Sequence, residues 1–216
     1  MTETEFEEIL GQVPPDYYEK GVKTNLFQRY WHTRKWNILK EFIPINSKKS
    51  IKLLDIGCAD GTTTAQISKM SKLLNVTGVD YYKDAIDHAK KRNSDIKFVY
   101  ADVHNLPFEK ASYDMVTTIE TLEHLENPNQ ALREIFRILK PKGHLIIGQD
   151  TDSLLFRLVW FLWTRWKGSV WKNSHINCMK PKDLMKVFKK QGFKLEKSKL
   201  INLGMEIFIK ARKDNR

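Results

Sequence analysis

Residues 53–61, Leu-Leu-Asp-Ile-Gly-Cys-Ala-Asp-Gly, constrain the fold of this chain more than any other segment. A short apolar run ends in Asp55 and a turn containing Gly57 and Gly61. A helical stretch follows, and a second short strand ends at Asp80, nineteen positions after Gly61. This is a strand–loop–helix–strand unit. Its second acid lies near the roughly twenty-residue offset at which a carboxylate accepts hydrogen bonds from ribose hydroxyls. The glycines do not follow the G-x-G-x-x-G pattern of a dinucleotide binder, because Ala59 stands between them. The loop therefore points to a nucleoside without a pyrophosphate linker.

Alternation of strand and helix continues beyond the loop. Strands are expected at Ile51–Ile56, Val76–Val79, Ile96–Tyr100, Tyr113–Thr118 and His144–Gly148, and helices near Thr62–Ser71, Asp84–Arg92 and Pro128–Leu139. Asn127 caps the last of these, Pro128 suits its first position, and Gln130 is placed to complete a capping box. The pattern predicts a mostly parallel sheet with helices on both faces. Near the C-terminus, Phe193–Leu200 and Met205–Ala211 are too close in sequence for a crossover, so one of them runs antiparallel. Residues 25–42 repeat apolar side chains at helical spacing, and residues 1–23 read as a loose lead-in.

Further acids fall where strands end. Asp102 closes the third strand, placed to accept from an adenine amine. The fourth strand runs through Ile119 into Glu120-Thr121-Leu122-Glu123-His124 at the carboxyl edge of the sheet, where open α/β sheets bind ligands. A strand-terminal acid alone often does no more than cap the next helix. Order and spacing together carry the argument here.

Five segments in sequence resemble the class I S-adenosylmethionine-dependent methyltransferases, in particular their small-molecule "type 11" branch. These are the glycine loop, the acid at Asp80, Ala101-Asp102-x-x-x-Leu106-Pro107-Phe108, Tyr113-Asp114 through Glu120-x-Leu122-Glu123-His124-Leu125, and Leu139-Lys140-Pro141-Lys142-Gly143. Residues 50–150 carry the resemblance strongly and 175–212 more weakly; Ala59 in place of a middle glycine departs from it. The resemblance implies a Rossmann-like fold with a seven-stranded sheet, S-adenosyl-L-methionine as cofactor, and one domain. That domain divides into N-terminal lid helices (1–49), a cofactor-binding core (50–150), a variable substrate-side helical region (151–192) and a C-terminal hairpin (193–212).

Transferred position by position, the resemblance places Gly57, Cys58 and Ala59 along the methionine portion of the cofactor. Asp80 and Tyr81 would flank its ribose, Asp102 and Val103 its adenine, and Ile119 the sulfonium region. Asp55 is expected to brace the loop amides or, through water, the ligand ammonium. Tyr30 and Arg34, one helical turn apart, offer an aromatic face and a guanidinium from the lid; the alternative is an ordinary amphipathic helix. His124 and His175 are the candidate bases, competing with structural roles. Glu120, Glu123 and His124 resemble a metal-binding segment of some relatives, but helix-start carboxylates are ordinary and no metal is assigned.

The acceptor is sought in the rest of the chain. Of a net charge of +11, residues 1–139 contribute −1 (19 basic, 20 acidic) and residues 140–216 contribute +12 (18 basic, 6 acidic). This favours an anionic partner or a solubilising surface. Residues 154–171 are rich in tryptophan and leucine, with Trp160, Trp163 and Trp166 on one side of a helix and Arg157, Arg165 and Lys167 interrupting the run. Peripheral contact with anionic membrane, the cap of an apolar pocket, and a buried helix all remain open. Nucleic acid is disfavoured because Thr118-Ile119-Glu120-Thr121 replaces the D/N-P-P-Y that grips a flipped base.

The sequence thus predicts methyl transfer to oxygen or nitrogen of a small-molecule or lipid-linked acceptor, anionic and partly hydrophobic. A non-catalytic cofactor-binding scaffold and an RNA-directed enzyme are the alternatives. The acidic start, Met1–Leu10, lacks a basic targeting segment. Two cysteines 120 positions apart form no motif, so a cytoplasmic location is expected.

Overall fold

The computed structural model describes residues 9–44, 48–165, 168–172 and 174–214. Seven strands form one sheet: β1 (Ile51–Ile56), β2 (Leu74–Asp80), β3 (Lys97–Tyr100), β4 (Tyr113–Ile119), β5 (Leu139–Asp150), β6 (Phe193–Ile201) and β7 (Glu206–Lys213). Their order is β3-β2-β1-β4-β5-β7-β6. Strands β1 to β5 pair in parallel, and β7 is antiparallel to both β5 and β6. The expected antiparallel strand of the hairpin is therefore β7, inserted between its partners.

Helices cover both faces because strand residues alternate. Leu54 and Ile56, Val116, Leu145 and Ile147, and Ile207 and Ile209 pack with α5 (Pro128–Ile138) and α7 (Pro181–Lys190). The intervening Leu53, Met115, Ile146 and Phe208 pack with α2 (Leu26–Phe42) and α3 (Thr62–Ser68). Helix α4 (Lys83–Arg92) buries Ile86 and Ala89 against Phe98. Ordering of the parallel strands leaves the carboxyl ends of β1, β2, β3, β4 and β5 along one edge, where the loops of interest lie.

Three local expectations are revised. The lead-in contains helix α1 (Tyr17–Thr24), which docks through its Glu19 rather than remaining loose. The Glu19 side chain reaches His88 at 2.9 Å and Arg92 at 3.3 Å, and its backbone N–H donates to Asp60 at 2.7 Å. Asn127 does cap α5, accepting from the Gln130 N–H at 3.1 Å. The Gln130 side-chain amide, however, donates to the His104 carbonyl at 3.1 Å instead of closing a capping box. Strand β5 also begins earlier than expected, since Leu139 already pairs with Tyr113.

Helix α6 (Leu154–Thr164) resolves its three readings into two faces. Phe156, Trp160 and Trp163 turn inward to line a pocket, while Leu154, Leu158, Phe161 and Leu162 are exposed. Trp166 and Lys167 lie outside the described residues. Among the described residues no helix is long and apolar enough to cross a membrane.

Candidate active site

The turn after β1 is shaped by backbone conformation. Gly57 sits at φ +74, and a Cβ there would lie 2.0 Å from the Thr121 hydroxyl, so no larger residue fits. Ala59 adopts φ +43 without a glycine's freedom, a conformation costly for an L-residue. Its N–H donates to Asp80 Oδ2 at 2.8 Å, and the Tyr82 N–H donates to Asp80 Oδ1 at 2.8 Å. Burial pushes the Asp80 carboxyl up despite these amides. Asp55 is more deeply placed: it accepts from the Thr64 hydroxyl at 2.6 Å and the Thr117 hydroxyl at 2.7 Å. It ties α3 to β4 and binds none of the loop amides, and burial raises its pKa to about 6.

A cavity of about 430 Å³ opens above this edge. Of the residues expected at the cofactor, Gly57, Ala59, Asp80, Tyr81, Asp102 and Val103 line it. The Tyr81 ring stacks on Tyr100 with centroids 5.5 Å apart. Asp102 accepts from the backbone N–H of His104 at 2.8 Å and lies at the same distance from its ring Nδ1. Cys58 and Ile119 instead line a side pocket of about 40 Å³, reached past Gly57 and Ala59. Helix α1 and the turn before it form the roof. Tyr17 and Tyr18 line the cavity, and the Tyr82 hydroxyl donates to the Val13 carbonyl at 2.6 Å.

Tyr30 and Arg34 are corrected by the structure. Both are exposed on the outer face of α2 and line none of the three cavities described here. The inward face of that helix carries Trp31 and Lys35, each one position after Tyr30 and Arg34, together with His32.

A second pocket of about 170 Å³ adjoins the first. The two share Tyr17, Tyr18, Glu120, His124 and Trp171 as a common wall. Trp31, Phe156, Trp160 and Trp163 add aromatic faces, and His32, Asp150 and His175 add polar groups. His175 is stacked on Trp160 with centroids 3.9 Å apart, and its Nε2 lies 3.8 Å from Asp150. His124 lies 4.8 Å from His175 between ring centroids, and its Nδ1–H donates to the Ser174 carbonyl at 2.9 Å. Both candidate bases thus meet here. Burial holds both below the ordinary histidine range, His175 to about 3 with help from His124, so each is neutral near pH 7.

Beneath this pocket lies a buried ionic cluster that the sequence reading did not assemble. Lys35 lies against Glu120 and 3.6 Å from Glu206. Burial opposes the charge of Lys35, but Glu120, Glu206 and Asp150 outweigh it and raise its pKa. Burial likewise raises Glu120, and the Lys35 ammonium overcomes this and brings it to about 2. Glu123, Asp150 and Glu206 are all pushed up, chiefly by burial and then by the charge of Glu120, Glu123 to about 8 and Glu206, against the pull of Lys35, to about 7. Glu120 is also held at φ +52 and lines all three cavities. Strained backbone at a ligand edge is a recurrent sign of function.

Ligand-type atoms of Glu123, His124 and His175 lie within 4.8 Å of one another, as do those of Glu120, Asp150 and Glu206. Glu120 therefore does not join Glu123 and His124 as the sequence pattern suggested. Its own group already contains the Lys35 ammonium as counter-charge. Nor does the aromatic pocket suit the anionic acceptor expected from the basic C-terminal third. It is lined by Glu120 and Asp150, and no lysine or arginine is among its lining residues.

Comparison with known proteins agrees with this geometry. Residues 54–147 match the model of a methyltransferase domain. The chain is 25% identical over 210 residues to the demethylmenaquinone methyltransferase of Thermotoga maritima, covering 88% of this chain and 90% of that protein. It is 26% identical over 150 residues to the ubiquinone biosynthesis O-methyltransferase of Vibrio campbellii, covering 59% of this chain and 63% of the relative. It spans less than two thirds of the length of several other curated relatives it matches. Among solved structures, a SAM-dependent methyltransferase from Aquifex aeolicus superposes with a TM-score of 0.67 at 16% identity, covering 96% of this chain and 97% of the other.

Proposed function

We propose, for a chain that belongs to the class I S-adenosylmethionine-dependent methyltransferases, that it transfers a methyl group to oxygen or nitrogen of a small, partly hydrophobic acceptor seated in the aromatic pocket. The cofactor of this family is S-adenosylmethionine, and the donor set of the large cavity suits it. Asp80, at the end of β2, would accept from the ribose and Asp102 from the adenine amine, with Tyr81 and Val103 as apolar walls; all four line the cavity. One observation carries the reading: the cavity holding these acids shares its wall with a second pocket containing two neutral histidines.

The cofactor brings an already activated methyl group. This chain's residues then have to orient the acceptor, exclude water and remove a proton where one must leave. Tyr17 and Tyr18 close the roof. His124 and His175 are proton acceptors for a hydroxyl, as neutral imidazoles on the acceptor side. The exposed apolar face of α6, with Arg157 beside it and Arg165 lying 3.5 Å over the Phe161 ring, supports peripheral contact with anionic membrane. Vesicle sedimentation of Leu158→Glu checks this: unchanged binding to anionic vesicles removes that contact.

Calorimetry with S-adenosylmethionine tests the main reading. Replacing Asp80 with alanine removes charge-assisted hydrogen bonds worth about 1.5–3 kcal/mol, so affinity should fall by roughly ten- to a hundred-fold. A folded protein that gives no heat would overturn the reading. Turnover with an acceptor separates an enzyme from a cofactor-binding scaffold.

A further inference from the structure

We infer that the aromatic pocket selects an acceptor bearing an amine, whose ammonium is held by Asp150 against the faces of Trp160 and its neighbours. The inference rests on the methyltransferase reading for its consequence, but its basis is the pocket. Asp150 is 4% exposed, lines the pocket, and its Oδ1 finds no hydrogen-bond partner among the described residues. A buried carboxyl left unpartnered is costly unless a ligand supplies the missing donor.

The surroundings favour a cation over a neutral donor. Trp31, Trp160, Trp163 and Trp171 line the pocket, and the quadrupole of an indole attracts positive charge. The adjoining cluster holds four carboxyl groups, on Glu120, Glu123, Asp150 and Glu206, and one ammonium, on Lys35. Mutual repulsion among those acids contributes to holding three of them toward the neutral form, and a second cation would relieve it. An anion would meet the opposite on every side. The volume also limits the acceptor: about 170 Å³ takes little more than one ring, given that an apolar cavity of roughly 150 Å³ accommodates benzene.

The chemistry balances without a further reagent. Asp150, held toward the neutral form in the empty pocket, gives its proton to solvent as the ammonium binds, and the carboxylate then takes one proton from that ammonium, leaving a neutral amine. The nitrogen lone pair then forms the N–CH3 bond as the S–CH3 bond breaks. Positive charge passes from sulfur to the methylated ammonium, which remains in the cage until release.

Three probes sharing one aromatic body decide the matter: benzylammonium, benzyl alcohol and phenylmethanesulfonate. Each is titrated against the full chain with S-adenosylhomocysteine present and EDTA added, following tryptophan fluorescence. Benzylammonium should bind at least ten-fold more tightly than the other two. Asp150→Asn should abolish that preference while leaving S-adenosylhomocysteine affinity unchanged. Equal or tighter binding of the alcohol or sulfonate by wild type overturns the proposal, as does a preference retained in Asp150→Asn. Should that variant fail to fold, the wild-type order decides, and Trp160→Leu should weaken benzylammonium selectively. Loss of S-adenosylhomocysteine binding with the amine preference intact would instead count against the cofactor reading.

Discussion

Replacing Lys35 with methionine should destabilise the protein strongly, and more at high pH than at low. Lys35 is 2% exposed and provides the counter-charge of Glu120 and Glu206. Its effect can be sized from Glu120, whose pKa is held at about 2 against an ordinary 4.5 even though burial alone would raise it. That difference corresponds to about 3 kcal/mol, at roughly 1.4 kcal/mol per unit. Breaking a buried pair by removing one partner costs about 3–5 kcal/mol, so the two lines of reasoning agree. The sign follows from linkage. A depressed carboxyl contributes stability above its unfolded pKa and loses it as pH falls through the folded value. At pH 8 the full contribution is therefore present in wild type and absent in the variant. Near pH 5 the variant's carboxyls take up protons, and the deficit shrinks. Urea unfolding at both values measures it. A deficit below about 1 kcal/mol at pH 8, or one that does not change with pH, refutes the account. Lys35→Met combined with Glu206→Met should recover part of the loss.

Ala59→Gly should stabilise the loop by up to about 1 kcal/mol, because φ +43 is unstrained for glycine; an unchanged or lower melting temperature counts against the strain. Glu19→Gln weakens the docking of α1 to His88 and Arg92. Amide exchange in residues 17–24 should quicken, and S-adenosylhomocysteine should dissociate several-fold faster. Unaltered exchange would show that the roof is held by its other contacts.

The cofactor side of the molecule was legible because it is written in short-range pattern. Strands β1 to β4 are placed within two residues, and β1 without error, since apolar runs ending near Asp55, Asp80 and Asp102 are local features; β5 begins five residues before its expected start. The acceptor side was not. Lys35 reads as one of many basic residues on a mostly polar helix, and only its packing shows that Glu120 and Glu206 surround it. Helical phase caused the error at Tyr30 and Arg34. In the sequence Phe27 and Trp31 continue the apolar spacing of Ile38 and Phe42, yet Phe27 is 57% exposed. The stripe that is buried runs through His32, Lys35, Ile38, Leu39 and Phe42. Polar residues inside it conceal the phase.

The antiparallel strand explains why the carboxyl groups accumulate. Inserting β7 beside β5 places Glu206 directly across from Asp150 in the ladder. Like charges facing each other in an antiparallel pair oppose folding. Both are nonetheless buried, Asp150 in the wall of the aromatic pocket and Glu206 behind it, a cost that the proposed binding of a cation would offset. Glu206→Gln separates the two demands. Burial and neighbouring acids raise the Glu206 pKa from 4.5 to about 7. A raised carboxyl contributes most below its unfolded pKa and loses that contribution as pH rises through the folded one. Wild type should therefore lose up to about 3 kcal/mol relative to the glutamine variant between pH 4.5 and 8, at roughly 1.4 kcal/mol per unit. Parallel stability curves for the two proteins across that range would mean that Lys35 already neutralises Glu206. In that case the negative character of the pocket would rest on Glu120 and Asp150, which line it.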